Sequence, residues 1–126
     1  YGSDISKKSL IFAQKKNIYL KLNCLSFEQK IKYEFKFDLI SLIGSMTYTK
    51  NFNRLFANIN NNLKKNSFFI FSHRVDLWKK QNFDKILLDN SSNFQIFYKS
   101  KPMKYLPLNK DFGNKIKIRL VLLQKR

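Results

Sequence analysis

Residues 37–48 read FDLISLIGSMTY. Phe37, Leu39, Ile40, Leu42 and Ile43 form a nearly unbroken apolar run, interrupted only by Asp38 and Ser41. A strand apolar on both faces is the signature of a central strand in a parallel sheet, covered by helices on either side. The run ends at Gly44 and Ser45, then Met46, Thr47 and Tyr48. Ligands of open α/β sheets sit beyond the carboxyl ends of the strands. The stretch therefore reads as a buried strand that delivers a loop to a site. The plain alternative is a core strand followed by an ordinary turn.

The flanking segments supply the alternation of strands and helices. Residues 1–5 read as the end of a strand with Asp4 at its tip, and Ser6 is placed to cap a helix over 7–16. Leu10 and Ala13 supply that helix's inward face, and Asn17 suits the left-handed conformation that ends it. Residues 18–27 alternate in the period of a strand, and 28–36 are charged. The clearest helix covers 50–65, where Phe52, Leu55, Phe56, Ile59 and Leu63 share one face. Lys64 and Lys65 would oppose the negative pole of its dipole. A second buried strand follows at 67–72, with His73 and Arg74 at its end. A short helix at 81–90 and strands at 94–100 and 115–123 complete the chain. The last two strands share a loop without a helix, which predicts an antiparallel pair. That loop, 101–114, carries Pro102, Pro107 and Gly113. The expected class is α/β, one domain with a mostly parallel sheet.

Composition narrows the partners. The 126 residues carry 25 Lys and Arg against 8 Asp and Glu, a net charge of +17. Such a balance favours anionic partners, nucleic acid among them. A/T-rich codons, which also favour the abundant Asn, Ile and Phe, are the competing source of the lysines. Cys24 is the only cysteine, so no internal disulfide forms, as suits a reducing compartment. No apolar run approaches the roughly 20 residues that span a bilayer. No secretory signal is visible, and the cytoplasm is the expected location. Ser/His/Asp arrangements, paired carboxylates and P-loops are all missing, which disfavours hydrolases and kinases.

Several side chains are candidates for chemistry. Asp4, at a strand tip, can accept two hydrogen bonds from a ribose diol; it can equally cap the helix beginning at Ser6. His73, the sole histidine, is a candidate general base or a partly buried, hydrogen-bonded imidazole. Arg74 can bind a carboxylate or phosphate, or pair with Asp76. Tyr48, Trp78 and Tyr105 can line a substrate pocket or simply pack. A lone histidine is no metal site.

The order of elements and the strings YGSDIS, FKFDLISLIGSMTY, LKKNSFFIFSHRVDLW and KSKPMKYLPLNKDFGNKIKIRLVLL resemble class I S-adenosylmethionine-dependent methyltransferases. FSHRVDLW and YLPLNKDFGNKIKIR are similar to the subgroup related to methyltransferase-like protein 27. The resemblance implies a Rossmann-like sheet with an antiparallel carboxyl-terminal strand pair. It implies S-adenosyl-L-methionine as cofactor, with Asp4 on the ribose, Ile5 on the adenine, and Leu25 and Ser26 holding the base. Gly44 and Ser45 would pass close to the cofactor. Read from the residues themselves, His73 is the candidate catalytic group, and Tyr48, Arg74 and Tyr105 are the candidate acceptor contacts. The family's first strand and Gly-rich loop have no counterpart here, so the resemblance implies the carboxyl-terminal portion of a longer, amino-terminally truncated domain, inactive alone. The acceptor it implies is a small molecule. Charge suggests RNA as the alternative acceptor, or a non-catalytic basic module that keeps the fold.

Overall fold

A computed structural model of the protein describes residues 1–30, 33–111 and 115–126. The chain divides into two compact units, Tyr1–Lys32 and Tyr33–Arg126. Gly113 of the expected loop lies outside the described residues.

The first unit is a strand-helix-strand unit. Strand β1 (Gly2–Asp4) leads to helix α1 (Lys7–Lys15), which leads to β2 (Leu22–Cys24). The strands pair in parallel, with Gly2, Ser3 and Asp4 opposite Leu22, Asn23 and Cys24. Ser6 caps α1 as its sequence position predicts: its hydroxyl accepts from the Ser9 N–H at 3.2 Å. Asn17, at φ 52°, takes the left-handed conformation expected just past the helix. Leu10 and Ala13 are only half-buried, and none of the unit's described residues is fully buried. The second strand is much shorter than the alternation over 18–27 predicts. It extends no further than its three-residue partner β1, and Ile18 and Leu20 are left exposed. Alternation specifies which face a residue takes, and the neighbouring strand decides how much of it becomes a strand.

The second unit holds a five-stranded sheet. It comprises β3 (Phe37–Leu42), β4 (Leu63–Arg74), β5 (Phe94–Lys99), β6 (Met103–Lys104) and β7 (Lys117–Lys125). The order is β3-β4-β7-β5, with β6 also paired to β7. Strand β3 runs parallel to β4, and β7 lies antiparallel to β4, β5 and β6. The antiparallel terminal pair is thus present, and β7 lies inside the sheet with β5 beyond it. The apolar run that looks central is not central in this unit. Strand β3 is at the end of the order, and Leu39 and Ile43 remain 56% and 52% exposed. The inner position belongs to β4, whose Phe69 and Phe71 are fully buried.

Helices α2 (Phe52–Asn62), α3 (Val75–Lys80) and α4 (Phe83–Asp89) bring aromatic rings onto this strand. Phe56 of α2 meets Phe69, Phe71 and Phe94 edge-on, and Phe83 of α4 meets Phe71 and Phe52. Edge-to-face contacts of this kind put the positive ring edge on a negative ring face. Helix α2 shows the predicted stripe, with Leu55, Phe56 and Ile59 buried. Its end differs from the expectation. Leu63 is buried but is already extended as the first residue of β4, so Lys64 and Lys65 lie in the strand. Lys64 pairs instead with Asp38 of β3 at 2.8 Å. The cation at the helix's carboxyl end is Lys125, whose Nζ donates to the carbonyls of Asn60 and Leu63 at 2.6 and 2.9 Å. It satisfies carbonyls that the helix leaves without an internal partner. Burial there pushes the Lys125 pKa down.

Candidate functional site

In the first unit, parallel pairing brings the carboxyl ends of β1 and β2 to the same edge. Asp4, Ile5, Leu25 and Ser26 therefore meet. The Leu25 N–H donates to the Asp4 carbonyl at 3.1 Å, and the Cys24 thiol leans on the Ile5 carbonyl at 3.8 Å. Asp4 does perform the capping alternative: its Oδ1 accepts from the Ser6 N–H at 2.8 Å. A carboxylate has about four acceptor positions, so this bond leaves Oδ2 and the second lone pair of Oδ1 for a diol. Ile5 is exposed and offers its apolar surface at the same edge. The Ser26 N–H is engaged by the Gln29 side-chain oxygen at 3.1 Å, and the Ser26 hydroxyl accepts from the Glu28 N–H at 3.3 Å. A base gripped by the Ser26 amide would have to displace Gln29. Sequence reasoning passed over Gln29; its position three residues after a turn-forming Ser was the available signal. A cleft of about 120 Å³ lies between β1 and α1, lined by Asp4, Ser9, Leu10 and Tyr19 among others. That is below the roughly 300 Å³ at which small-molecule pockets begin.

In the second unit, Gly44 takes φ 77° as it leaves β3, a conformation that favours glycine. Its N–H donates to the buried Ser72 hydroxyl at 2.8 Å, which ties the turn to the end of β4. A Cβ at Gly44 would lie 3.1 Å from the Tyr105 hydroxyl oxygen. Tyr105 and Gly44 are thus brought together, and the glycine is accounted for by the turn and by this neighbour. Ser45 is half-buried next to it. Tyr48 is 74% exposed. Arg74 grips Asp76 through two bonds of 3.1 and 2.7 Å, the pairing alternative. Those bonds raise the guanidinium pKa further and lower that of the Asp76 carboxyl. Arg74 lies in a run where the sequence predicted no helix. Val75–Lys80 has too few residues to display an apolar period, yet it forms α3 and buries Trp78.

His73 is 1% exposed and enclosed by rings. Phe83 lies 4.6 Å from it, Trp78 6.1 Å and Phe52 6.2 Å, centroid to centroid. Its Nε2 is hydrogen-bonded to the Gln81 side chain at 2.9 Å, and its buried Nδ1 has no partner among the described residues. A general base needs a path to the substrate proton. The imidazole has none here, and its surroundings give it a packing role.

Burial lowers the His73 pKa, outweighing the hydrogen bond to Gln81 and the field of Asp76 that favour the cation. The unfolded chain therefore takes up this proton at a higher pH than the native protein. The native advantage is complete above the unfolded value of 6.5 and is lost as pH falls through the folded-state value. Urea unfolding is expected to show stability falling from neutral pH to mildly acid pH, with the slope flattened in His73→Phe. An equal slope in that variant would assign the effect to other groups. Asp76 and Asp84, with pKa values lowered by Arg74 and Trp78 respectively, act at lower pH.

Among the described residues, no group of three or more His, Cys, Asp or Glu could hold a metal, and no helix is long and apolar enough to cross a membrane. The elements form the Rossmann-like α/β fold of the class I S-adenosylmethionine-dependent methyltransferases. A putative S-adenosylmethionine-dependent methyltransferase from Listeria monocytogenes is 17% identical, with 99% of this chain and 79% of that one covered at a TM-score of 0.77. The N-methyltransferase NodS from Bradyrhizobium japonicum is 11% identical, with 98% and 71% covered at 0.67. An rRNA methylase from Streptococcus thermophilus is 12% identical, with 98% and 70% covered at 0.65. Identities this low establish the fold alone. No protein-family model and no curated protein matches the chain.

Proposed function

We propose that the protein transfers a methyl group from S-adenosylmethionine. The observation that carries this reading is the parallel β1–β2 pair, which sets the Asp4 carboxylate, Ile5, Leu25 and Ser26 at one edge of the first unit. A ribose diol would bond Asp4, and the adenine would lie against Ile5 and Leu25 with its edge on the Ser26 amide. The resemblance adds Gly44 and Ser45 as further cofactor contacts. When bound, the cofactor supplies the activated methyl on its sulfonium. The chain's own part is to hold the adenosine, orient the acceptor in line and exclude water. His73 is assigned to packing, and the cytoplasm remains the proposed location.

Both units would form one methyltransferase domain that extends beyond these 126 residues. Two features support this. The first unit has no fully buried residue among those described, and among the described residues β3 stands at the end of its strand order, with Leu39 and Ile43 exposed. A strand at the end of a sheet can take another strand beside it.

The acceptor implied by the subgroup resemblance is a small molecule, and Tyr48, Arg74 and Tyr105 are its candidate contacts. The rival acceptor is RNA, and the feature in its favour is the net charge of +17.

Hydrogen–deuterium exchange of the full-length protein with and without S-adenosylhomocysteine tests the assignment. Slowed exchange at the amides of residues 4–6 and 25–29 is expected. Protection confined to other segments would remove the first unit from the cofactor site.

A further inference from the structure

Helix α1 carries a surface that the methyl-transfer reading does not use. Its inner side is set by Ser9, Leu10 and Ala13, which line the cleft against β1. With about 3.6 residues per turn, Lys8, Ile11, Phe12 and Lys15 fall on the opposite side. These four are neighbours at spacings of three and four residues, so they make one patch of two apolar side chains and two cations. Ile11 and Phe12 are 55% and 57% exposed. The Lys15 Nζ lies 5.6 Å from the centre of the Phe12 ring, so cation and ring share one stretch of surface.

The charge around the patch has one sign. From Ile5 to Phe27 the sequence holds five Lys and no Asp or Glu. Lys7, Lys8, Lys15 and Lys16 are exposed, and none of them forms an ion pair among the described residues. A surface helix ordinarily turns its apolar stripe inward and polar residues outward. Helix α1 turns Leu10 and Ala13 inward, yet it also sets Ile11 and Phe12 in the middle of its basic outer face. Two classes of anion answer that charge. Nucleic acid stacks bases on rings, and Ile11 offers no ring. A lipid surface takes both side chains: the apolar groups of an interfacial helix enter the boundary between headgroups and acyl chains, while its lysines stay at the headgroups.

We propose that the outer face of α1 docks the protein on an anionic lipid surface, with Ile11 and Phe12 entering the bilayer interface and Lys8 and Lys15 meeting anionic headgroups. Such contact is peripheral and needs no helix long enough to cross the membrane. The cytoplasmic leaflet, where anionic lipids give a negative surface potential, is the surface such a patch fits. The proposal does not depend on methyl transfer, because binding is read directly. Its failure would leave the cofactor assignment standing, and the reverse also holds.

Co-sedimentation of the full-length protein with vesicles provides the test, comparing phosphatidylcholine alone with equimolar phosphatidylcholine and phosphatidylserine. Binding to the mixed vesicles is expected, weakened by potassium chloride, with little binding to phosphatidylcholine alone. Lys8→Gln with Lys15→Gln should weaken it about 30-fold. Ile11→Gln with Phe12→Gln keeps the charge and should weaken it about tenfold or more. All four side chains are exposed, and circular dichroism confirms folding of each variant. The control removes the same charge in the second unit, Lys79→Gln with Lys101→Gln, and should change binding far less. Phe12→Trp reports insertion, and its emission should shift to the blue on the mixed vesicles. No binding to the mixed vesicles, an unshifted emission, or a control that loses as much as the α1 lysine variant would overturn the proposal. Binding of a labelled oligouridylate in place of the mixed vesicles would overturn it too, and would assign the face to RNA.

Discussion

Phe71→Ala is expected to lower the unfolding free energy by about 3–5 kcal/mol, the range for removing a buried aromatic ring from a core. Phe71 is fully buried in the middle of β4. Its ring meets Phe69 at 5.1 Å, Phe83 at 5.8 Å and Phe56 at 6.5 Å, so it joins the sheet to α2 and α4. Truncation loses the transfer free energy of the ring and leaves a cavity that rigid aromatic neighbours cannot close. Domains are stable by only about 5–15 kcal/mol, so the loss is a large share of the total. Phe97→Ala, at an exposed ring, should cost under about 1 kcal/mol. Guanidinium unfolding of both variants separates the two. Equal costs would mean that β4 is not the strand on which the second unit is packed.

Asp4→Ala is expected to weaken S-adenosylhomocysteine binding by about 1.5–3 kcal/mol, the range for hydrogen bonds to a charged group, or about 10- to 150-fold. The carboxylate stands at the carboxyl end of β1 with Oδ1 already bonded to the Ser6 N–H. Removing it also deprives that N–H of its acceptor, so the variant should be slightly less stable. Asp4→Asn keeps an acceptor for Ser6 but loses the charge. It should recover the stability and only part of the affinity. Full recovery of affinity in Asp4→Asn would reduce Asp4 to a turn-forming residue.

Much of the architecture was legible in the sequence, and the misses have a common cause. The stripe Leu55, Phe56 and Ile59 predicts α2 because a helix repeats every 3.6 residues whatever its surroundings. The Ser6 cap, the left-handed Asn17 and the antiparallel final strands are local or nearly so. The place of β3 in its sheet is not local. FDLISLI is apolar enough for a central strand, and no residue in it records which strands lie beside it. Similarly, Lys125 caps a helix that ends over 60 residues earlier in the chain, and Tyr105 stands against Gly44. These are tertiary contacts with no periodic signal. At the candidate site, the sequence marked Asp4 and Ser26 by their strand-end positions. The Gln29 side chain on the Ser26 amide was marked only by its spacing of three residues from a turn-forming Ser, and its choice of partner follows from the turn's geometry. His73 was marked by being unique; only the packed rings around it decide that it is enclosed.

The most direct test of the central claim is calorimetric titration of S-adenosylhomocysteine into the full-length wild-type protein, with residues 1–126 alone as a control. A single saturable site in the full-length protein and weak or no binding by residues 1–126 is the predicted result. No binding by the folded full-length protein would contradict the assignment of this fold to methyl transfer, and micromolar binding by residues 1–126 alone would contradict the view that they form part of a larger domain.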